Sequence, residues 1–462
     1  MIMRCVPLLA LAALLPACTV GPDYRAPDPG LPQAWTEPAN AGTPSEAGWW
    51  YGFDDPALED LIAAALADNI DVRIAAARLA EAEALSDVRR GGNWPAVDAS
   101  ADAEATGDLS GDAASATSAG LGAALSFVPD VFGGRRRQIE QAEATEAARR
   151  FDVADVRRLT AATIARRYVE LRRSRARLDL LETSLELQQQ TLDIVRQRAD
   201  AGLSADLDVQ RAASDLARTR AQRGNLDIAE AGALHDLAVL TGQVPGTLDM
   251  PAGGTVIPAY DDVIASGVPA DLLRRRPDLQ SAERELAAAS AAIGVATADL
   301  YPAFSIPGRI TADLGSADRL IGDTVARIGA AVSVPVFDGG QRRATVEAAQ
   351  ARADQALLVY RRTLLEAVGE VEDALVSIRA IEARTAELER AVAASEQAFE
   401  QLDALYREGL ASFIDILDAQ RTLIGSRESL LDSQADHALA IIGLYRALGA
   451  PVSADGVPGS RS

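Results

Sequence analysis

Two very long amphipathic segments dominate the pattern of apolar and polar positions. No glycine or proline interrupts residues 135–201, and only Gly369 interrupts residues 341–408. Apolar residues recur every seven positions in both segments. They are Ile164, Leu171, Leu178, Leu185 and Leu192 in the first, and Leu357, Leu364, Val371, Ile378, Val392, Phe399 and Tyr406 in the second, where Thr385 interrupts the series. This spacing predicts long helices that coil left-handedly around neighbouring helices, as a bundle or hollow cylinder and not a globular core.

Residues 94–130 and 301–337 follow a different pattern, poor in charge and rich in Ala, Gly, Ser, Thr and Val. Each segment has room for two strands of the roughly 9–11 residues that cross a bilayer, which predicts four strands per chain. Four strands cannot close into a barrel, and lipid does not tolerate an open sheet edge. Strands that cross a membrane would therefore require several chains to share one barrel. A pair of soluble hairpins capping a coiled coil is the alternative.

The chain repeats itself. "VPDVFGGRRR" at 128–137 returns as "VPVFDGGQRR" at 334–343, and "AGLSADLDVQ" at 201–210 returns as "EGLASFIDIL" at 408–417. The two copies predict repeat units at 56–245 and 270–451, each with two strands and a helical hairpin. The hairpins turn at 202–208 and 409–418. We assign 246–269 to a linker and 452–462 to a C-terminal tail.

The first 17 residues have the features of a secretion signal. Arg4 precedes an apolar run over 6–15, which is too short to span a membrane and is followed by "LPAC". "LPAC" resembles the lipobox of bacterial lipoproteins, which predicts cleavage before Cys18 and attachment of lipid to it. Residues 18–55 would then form a lipid-anchored N-terminal segment. An ordinary cleaved signal with an incidental cysteine is the alternative.

Composition restricts the possible functions. The chain contains no lysine, and its formal net charge is −22. This strongly negative charge argues against nucleic-acid binding. The chain holds two cysteines and two histidines, and no nucleophile–base pair or metal-ligand cluster is recognisable. We therefore predict no enzyme activity, no catalytic residue, no metal site and no cofactor apart from the covalent lipid on Cys18.

The stretch "YREGLASFIDILDAQR" at 406–421 carries candidate functional residues. Gly409 ends the long helix, because glycine readily adopts the left-handed conformation that a helix end needs. Ser412 and Asp415 fit a capping pair at the start of the next helix. Asp418 lies one turn further on, on the same face as Asp415, where capping does not explain it. An ordinary solvated helix face is the alternative.

Three stretches resemble one known family: "CTVGPDYRAP" at 18–27, the block at 271–302 that begins "DLLRRRPDLQ", and "VPVFDGGQRR" at 334–343. Together they resemble the TolC-like outer-membrane factors, and more closely the NodT-type lipoproteins that serve resistance-nodulation-division efflux systems. The resemblance implies a mainly α fold with membrane β: a two-fold internal repeat of long coiled-coil helices forming an α-barrel tunnel, and four β-strands per chain contributing to a trimeric 12-stranded outer-membrane β-barrel.

The resemblance also implies partners, location and a site. The partners would be two further copies, a periplasmic adaptor protein, an inner-membrane resistance-nodulation-division pump and outer-membrane lipid; the protein would sit in the cell outer membrane with its tunnel in the periplasm. Asp415 and Asp418 would form rings that close the periplasmic gate, and Asp208 and Tyr406 would form a latch that holds it shut. Ala411 occupies the position at which some relatives carry an arginine that takes part in this latch.

The resulting functional prediction is a passive duct that exports drugs, other toxic compounds or metals in a tripartite system. A lipid-anchored periplasmic scaffold or adaptor without a pore, and a duct for type I protein secretion, are the alternatives. The exported substrate, the particular pump and adaptor and the resting pore width are not encoded in any motif of this chain.

Overall fold

The computed structural model describes residues 19–37, 48–106, 116–250, 253–262, 264, 275–313 and 323–450. A short 3-10 helix over Trp49–Phe53 precedes the first α-helix. The α-helices are α1 (Pro56–Asp68), α2 (Ile70–Gly91), α3 (Gly134–Asp200), α4 (Asp206–Ala221), α5 (Arg223–Leu240), α6 (Pro277–Ala298), α7 (Gln341–Arg407) and α8 (Phe413–Ala447). Helices α3 and α7 have 67 residues each, which confirms the two predicted long helices. Among helices in the described ranges, none is both long enough and apolar enough to cross a membrane.

The strands form one antiparallel sheet. They are β1 (Ala96–Thr106), β2 (Ala116–Phe127), β3 (Ala303–Asp313), β4 (Thr324–Ile328) and β5 (Ala331–Ser333). Their order is β1-β2-β3-β4, and β5 also pairs with β3. Gly308 faces Ile328 and Ala303 faces Ser333, so β4 and β5 continue one another in a single register on β3. The predicted four strands are therefore present, with the fourth interrupted at residues 329–330.

Matching elements lie 207 residues apart along the chain. The offset separates the first residues of α2 and α6, of β1 and β3, and of α3 and α7, and it separates their last residues as well. Asp206 and Phe413, which begin α4 and α8, are also 207 residues apart. Leu240 and Ala447 end α5 and α8 at the same offset, so α8 corresponds to α4 and α5 together. One structural unit therefore occurs twice, and only the first copy breaks its second long helix, at Gln222.

The chain divides into two compact units, and each unit combines parts of both repeats. Unit 1 contains residues 1–29, 77–151 and 280–362, and it includes the whole sheet. Unit 2 contains residues 30–76, 152–279 and 363–462, and it includes both helical hairpin turns. The compact units therefore do not coincide with the repeats, because each unit combines segments of both.

The buried residues of unit 2 follow the predicted seven-residue stripe. Ile164, Leu171 and Val371 have no exposed surface, and Leu192 is 2% exposed. A group of aromatic side chains adds to this core: Trp49 stacks on Tyr445 with ring centroids 5.7 Å apart, and the Tyr260 and Tyr445 hydroxyls lie 2.7 Å apart. The stripe thus marks the packed side of each long helix, and the apolar seam supplies most of the stabilisation available to it.

The "RRRPD" stretch joins the start of α6 to the end of α8. Pro277 begins α6, where proline is tolerated because the N–H that it lacks would have no partner within the helix. The buried Arg276 donates to the Ala447 carbonyl at 2.9 Å and pairs with Asp278 at 2.6 Å and Glu370 at 2.8 Å. A cation at the carbonyl end of α8 is favourable because that end carries partial negative charge.

Candidate functional site: the hairpin turns and the sheet faces

Both helical hairpins of unit 2 turn by the same backbone device. Gly202 and Gly409 have φ angles of 73° and 80°, in the left-handed region that glycine adopts without strain. The Leu203 N–H donates to the Arg198 carbonyl and the Leu410 N–H to the Leu405 carbonyl, each at 2.8 Å. These bonds close the last turns of α3 and α7 and satisfy carbonyls that the helix leaves free. We call residues 185–217 and 399–421, which include both turns, the tip.

Apolar side chains from both hairpins pack together at the tip. The cluster contains Leu192 and Val195 of α3, Ala212 and Leu216 of α4, Tyr406 of α7, and Phe413, Ile416 and Leu417 of α8. Val195 has no exposed surface and Ile416 is 1% exposed. Because all four helices contribute, the cluster holds the first hairpin against the second within one chain.

The capping interpretation of Asp415 is confirmed. Ser412 is the N-cap of α8: its Oγ accepts from the Asp415 N–H at 3.3 Å, and Asp415 accepts from the Ser412 N–H at 3.1 Å. The Ser412 hydroxyl also donates to the Asp415 carboxylate at 2.6 Å. These hydrogen bonds from Ser412 lower the pKa of Asp415. Asp415 is therefore held in its charged form while it remains exposed to solvent.

Asp418 makes no comparable capping hydrogen bonds. Its side chain is exposed, and within the described part of the chain no hydrogen bond or ion pair reaches its carboxylate. Asp415 and Asp418 lie three residues apart on α8, so both carboxylates project from one helix face. The exposed negative face that the sequence predicted at this turn is present; its role as a gate stays a prediction.

The predicted latch residues lie close together but are not directly bonded. Tyr406 is 3% exposed, and its hydroxyl makes no hydrogen bond of ordinary geometry with any described residue. The Asp208 carboxylate accepts a hydrogen bond from the Ser204 hydroxyl at 3.2 Å and forms an ion pair with Arg211 at 3.5 Å. Burial raises the pKa of Tyr406; Arg198 and Ser204 lower it and the Asp208 charge raises it further, so the phenol keeps its proton. A direct Tyr406–Asp208 bond is absent in this conformation, and the latch stays a prediction.

Arg198, which the sequence analysis did not single out, binds Tyr406 and so connects α3 to the end of α7. Its Nη1 donates to the Tyr406 carbonyl at 2.7 Å, and its guanidinium lies 4.8 Å from the centre of the Tyr406 ring. One side chain of α3 thus binds both the backbone and the ring at the end of α7. The signal available in the sequence was weak, because α3 contains many arginines and no pattern distinguishes this one.

A second contact between the hairpins joins α4 to α8. Asp215 of α4 is 7% exposed and accepts from Nη2 and Nε of Arg421 at 2.6 and 3.0 Å. The Gln188 amide donates to the other Asp215 oxygen at 3.2 Å. A buried carboxylate requires this compensation, since removing one partner of such a pair typically costs ~3–5 kcal/mol. One signal for Asp215 was available in the sequence: its charge lies beside the apolar residues Ala212 and Leu216.

The sheet in unit 1 has one apolar face and one charged face. Residues that oppose each other in register share a face, and neighbours along a strand alternate. The apolar face contains Val97, Ala99 and Ala101 of β1, Leu121, Ala123 and Leu125 of β2, Gly308, Ile310 and Ala312 of β3, and Ala326 and Ile328 of β4. The charged face contains Asp98, Ser100, Asp102 and Glu104 of β1, Gly122 and Ala124 of β2, Arg309, Thr311 and Asp313 of β3, and Val325 and Arg327 of β4.

The apolar face of the sheet is uncovered in the single chain. Val97 is 70% exposed, Ile310 53% and Ile328 78%. Exposed apolar side chains in such numbers are unfavourable in water and indicate a face that meets lipid or another protein surface. The sheet therefore has the alternation expected of strands with an apolar environment on one side and water on the other.

The chain segment that follows Cys18 is fixed in unit 1 beside the sheet. Cys18 itself lies outside the described residues. The Val20 N–H donates to the Phe132 carbonyl at 3.1 Å, and the buried Arg137 binds the Val20 carbonyl at 3.1 Å and Asp23 at 2.8 Å. Gly21, with φ of 90°, lies so close to Gly294 of α6 that a side chain at Gly21 would collide with its backbone. The lipidation of Cys18 stays a prediction, and the residues after it occupy a defined position.

Comparison with known proteins gives consistent results over nearly the whole chain. The family model described as outer membrane efflux protein matches residues 61–243 and 268–450. Nodulation protein T of Rhizobium leguminosarum bv. viciae is 32% identical over 433 residues, covering 91% of this chain and 88% of the relative. The solvent efflux pump outer membrane protein SrpC of Pseudomonas putida is 31% identical, covering 96% of this chain and 98% of that one.

The fold has the same relatives. The solved structure of the outer-membrane channel OprN matches with a TM-score of 0.85 and 35% sequence identity, over 94% of this chain and 99% of that one. The family match includes both repeats, both long helices and all strands of the described sheet. This chain belongs to the outer membrane efflux protein family.

Proposed function

We propose that three copies of this chain form the outer-membrane duct of a tripartite efflux system, through which small molecules leave the cell chemically unchanged. The observation that carries this proposal is the match to the outer-membrane channel OprN, which extends over 94% of the chain. A periplasmic adaptor and an inner-membrane resistance-nodulation-division pump would complete the system. Energy would come from the pump, since passage through the duct involves no chemical step.

The sheet supports the membrane part of this proposal. One chain supplies a sheet whose outermost strands are both open, and lipid does not accept open edges. Three copies, each supplying the path β1-β2-β3-β4/β5, would give a closed barrel of twelve strands. Its apolar face would meet lipid and its charged face would line a water-filled lumen.

The tip supports the gating part of this proposal. Around a three-fold axis, Asp415 and Asp418 would place six carboxylates around one constriction of the tunnel. A narrow ring of carboxylates attracts cations and repels anions, which makes a constriction cation-selective. Opening would be a population shift toward a state favoured by the adaptor and pump. The cluster and the Arg421–Asp215 pair connect the two hairpins of each chain, so opening must either move them together or break these contacts.

Single-channel recording in planar bilayers tests the duct. Purified full-length protein should give discrete current steps, whereas a pore-free scaffold or adaptor would give none, and that result would refute the proposal. The Pseudomonas putida relative is named for solvent efflux, so organic solvents are the first cargo to test. Expression in a strain lacking its own outer-membrane component should restore solvent tolerance. Restoration of protein secretion in place of tolerance would favour the type I secretion duct.

The gate has its own test. The double variant Asp415→Ala, Asp418→Ala should raise single-channel conductance, reduce cation selectivity and weaken block by a multivalent cation added on the periplasmic side. The control is Glu347→Ala, Glu389→Ala, which removes the same charge from exposed positions of α7 away from the turn. If both double variants behave like the wild type, the two aspartates do not form the gate. If both variants change alike, the effect reflects total charge and the gate is equally refuted.

A further inference from the structure

Two arginines oppose each other on the charged face without a counter-charge. Arg309 of β3 and Arg327 of β4 are direct register partners, so their Cα atoms lie about 5 Å apart. On its other side Arg309 faces Ala124, and within the described residues neither arginine has an ion-pair partner. Like charges placed directly opposite each other destabilise a sheet. This row of the sheet therefore lacks an anion among the described residues.

Carboxylates are concentrated at the other edge of the same sheet. β1 and β4 are the outermost strands, and each has one neighbour in the described sheet. On the charged face, β1 has Asp98, Asp102 and Glu104 and no cation, whereas β4 has Arg327 and no carboxylate within its five residues. All these side chains are exposed in the single chain. The acidic edge and the basic edge cannot meet within one chain, because β2 and β3 lie between them.

We propose that Arg327 of one copy binds a carboxylate on the charged face of β1 of the next copy, where β4 and β1 meet in the shared barrel. The inference rests on the proposed function, because it assumes that copies share one barrel. Adjacent strands alternate in direction along β1-β2-β3-β4, so the new pair is antiparallel like the others. The occupant of this edge is therefore a second copy of the same chain, selected by charge.

The alternation of the sheet limits which residue faces Arg327. A shift of one residue would move the apolar side chains of β4 to the water side, so only every second residue of β1 is a permitted partner. Among the middle positions of β1, 98–104, the permitted residues are Asp98, Ser100, Asp102 and Glu104, and three of these four are acidic; Ala96 and Thr106 at the strand ends lie on the same face. The excluded residues between them are Ala99, Ala101 and Ala103. Whichever permitted register forms, a carboxylate lies opposite Arg327 or two residues from the opposing position.

Charge exchange tests the contact. The variant Arg327→Glu should lower the temperature at which purified, detergent-solubilised trimers dissociate on semi-native gels. Adding Asp98→Arg, Asp102→Arg or Glu104→Arg should restore the wild-type temperature in at least one of the three combinations. The paired control is Arg327→Gln against Arg309→Gln: the edge variant should weaken the trimer, and the inner variant, which only relieves like-charge repulsion, should not. Equal behaviour of the two glutamine variants, or failure of every exchange, would overturn the inference.

Disulfide cross-linking tests the pairing without depending on trimer stability. Arg327→Cys is combined in turn with cysteine at each of the seven β1 positions 98–104, in membranes and under mild oxidation. Cross-linked oligomers should form with a permitted position and should be absent with cysteine at Ala99, Ala101 and Ala103. Cross-links confined to the alanine positions, or none at all in a trimer, would overturn the inference and leave the duct intact. A chain that forms no oligomer would overturn both.

Discussion

Tyr406 carries a buried phenol whose hydroxyl lacks a hydrogen-bond partner among the described residues. A buried donor without a partner typically costs ~1–3 kcal/mol, so any rearrangement that brings the hydroxyl to a carboxylate is favoured. Asp208 lies near, where it accepts from the Ser204 hydroxyl and pairs with Arg211. The Arg421–Asp215 pair, by contrast, is already complete at 2.6 Å and buried on the Asp215 side. Two contacts are therefore candidates for holding the hairpins together. The Arg421–Asp215 pair is formed in this conformation, and the Tyr406–Asp208 bond is not.

Variants at these two contacts should separate them. If Tyr406 binds Asp208 in the closed trimer, the double variant Tyr406→Phe, Asp208→Ala should conduct more than the wild type in planar bilayers. Arg421→Gln leaves the Asp215 carboxylate buried and unpaired, and it should raise conductance if that pair restrains the tip. Increased conductance in Arg421→Gln alone would assign the restraint to Arg421–Asp215 and end the latch prediction. Leu410→Ala, an exposed apolar truncation at the same turn, is the control and should leave conductance unchanged.

At the scale of whole elements, the end of α8 depends on charges carried by other segments. Arg276 binds the Ala447 carbonyl, and Arg158 of α3 binds the Arg446 carbonyl. Burial alone would raise the pKa of Asp278, but its hydrogen bond and charge contact with Arg276 outweigh burial and lower it. Asp155 has the opposite shift, because burial raises its pKa more than Arg158 lowers it. Of these two aspartates, Asp278 therefore supports the junction more strongly when charged.

This junction should make stability depend on pH. The folded-state pKa of Asp278 lies below its unfolded value, so its contribution is present above the unfolded pKa of about 4 and is lost as the pH falls through the folded value. Asp278→Asn removes that contribution. The variant should melt below the wild type at pH 7, with the difference shrinking toward pH 3, as followed by circular dichroism. Asp418→Asn, an exposed change on α8, should track the wild type throughout; a constant deficit in Asp278→Asn would contradict this account.

The elements were more predictable from the sequence than the site. Uninterrupted heptads specify a long helix because no residue within them breaks the backbone pattern, so α3 and α7 were predicted to within a residue at each end. Gly409 and the Ser412–Asp415 pair were predictable because capping is local. Arg198 and Arg421 were not, because each contacts a residue about 200 positions away and is one arginine among many. The break at Gln222 was also missed, since Gly224 alone is a weak signal.

At the scale of the whole molecule, the position of the N-terminal segment bears on the predicted lipid anchor. Residues 20–23 are bound to the beginning of α3 and to the segment just before it, which directly follows β2. A lipid on Cys18 would therefore emerge within two residues of a fixed point in the unit that contains the sheet. This arrangement would place the acyl chains near the membrane strands without a long tether. The anchor would then supplement the barrel, which is the larger membrane-embedded surface.

Replacing Cys18 should remove the lipid and leave the duct. Cys18→Ser should abolish incorporation of labelled palmitate, and mass spectrometry should find no lipid on the chain. Oligomers extracted from the outer membrane should persist at reduced yield, because the sheet does not depend on the anchor. The control is Cys5→Ser, which lies in the predicted signal and should leave lipidation unchanged. Labelled palmitate retained in Cys18→Ser would refute the lipobox prediction.

The equal length of α3 and α7 restricts how such a chain can change over time. Each inserted residue lengthens a helix by about 1.5 Å and turns everything beyond it by about 100°. One insertion in α3 alone would carry Arg198 away from Tyr406 and rotate the apolar stripe off its neighbours. Only additions of about seven residues return the apolar stripe to its original side of the helix. Only matched additions to α3 and α7 keep the ends of the two helices opposite each other at the tip. Growth of this protein is therefore expected to occur in paired heptads, with single insertions and deletions confined to the loops.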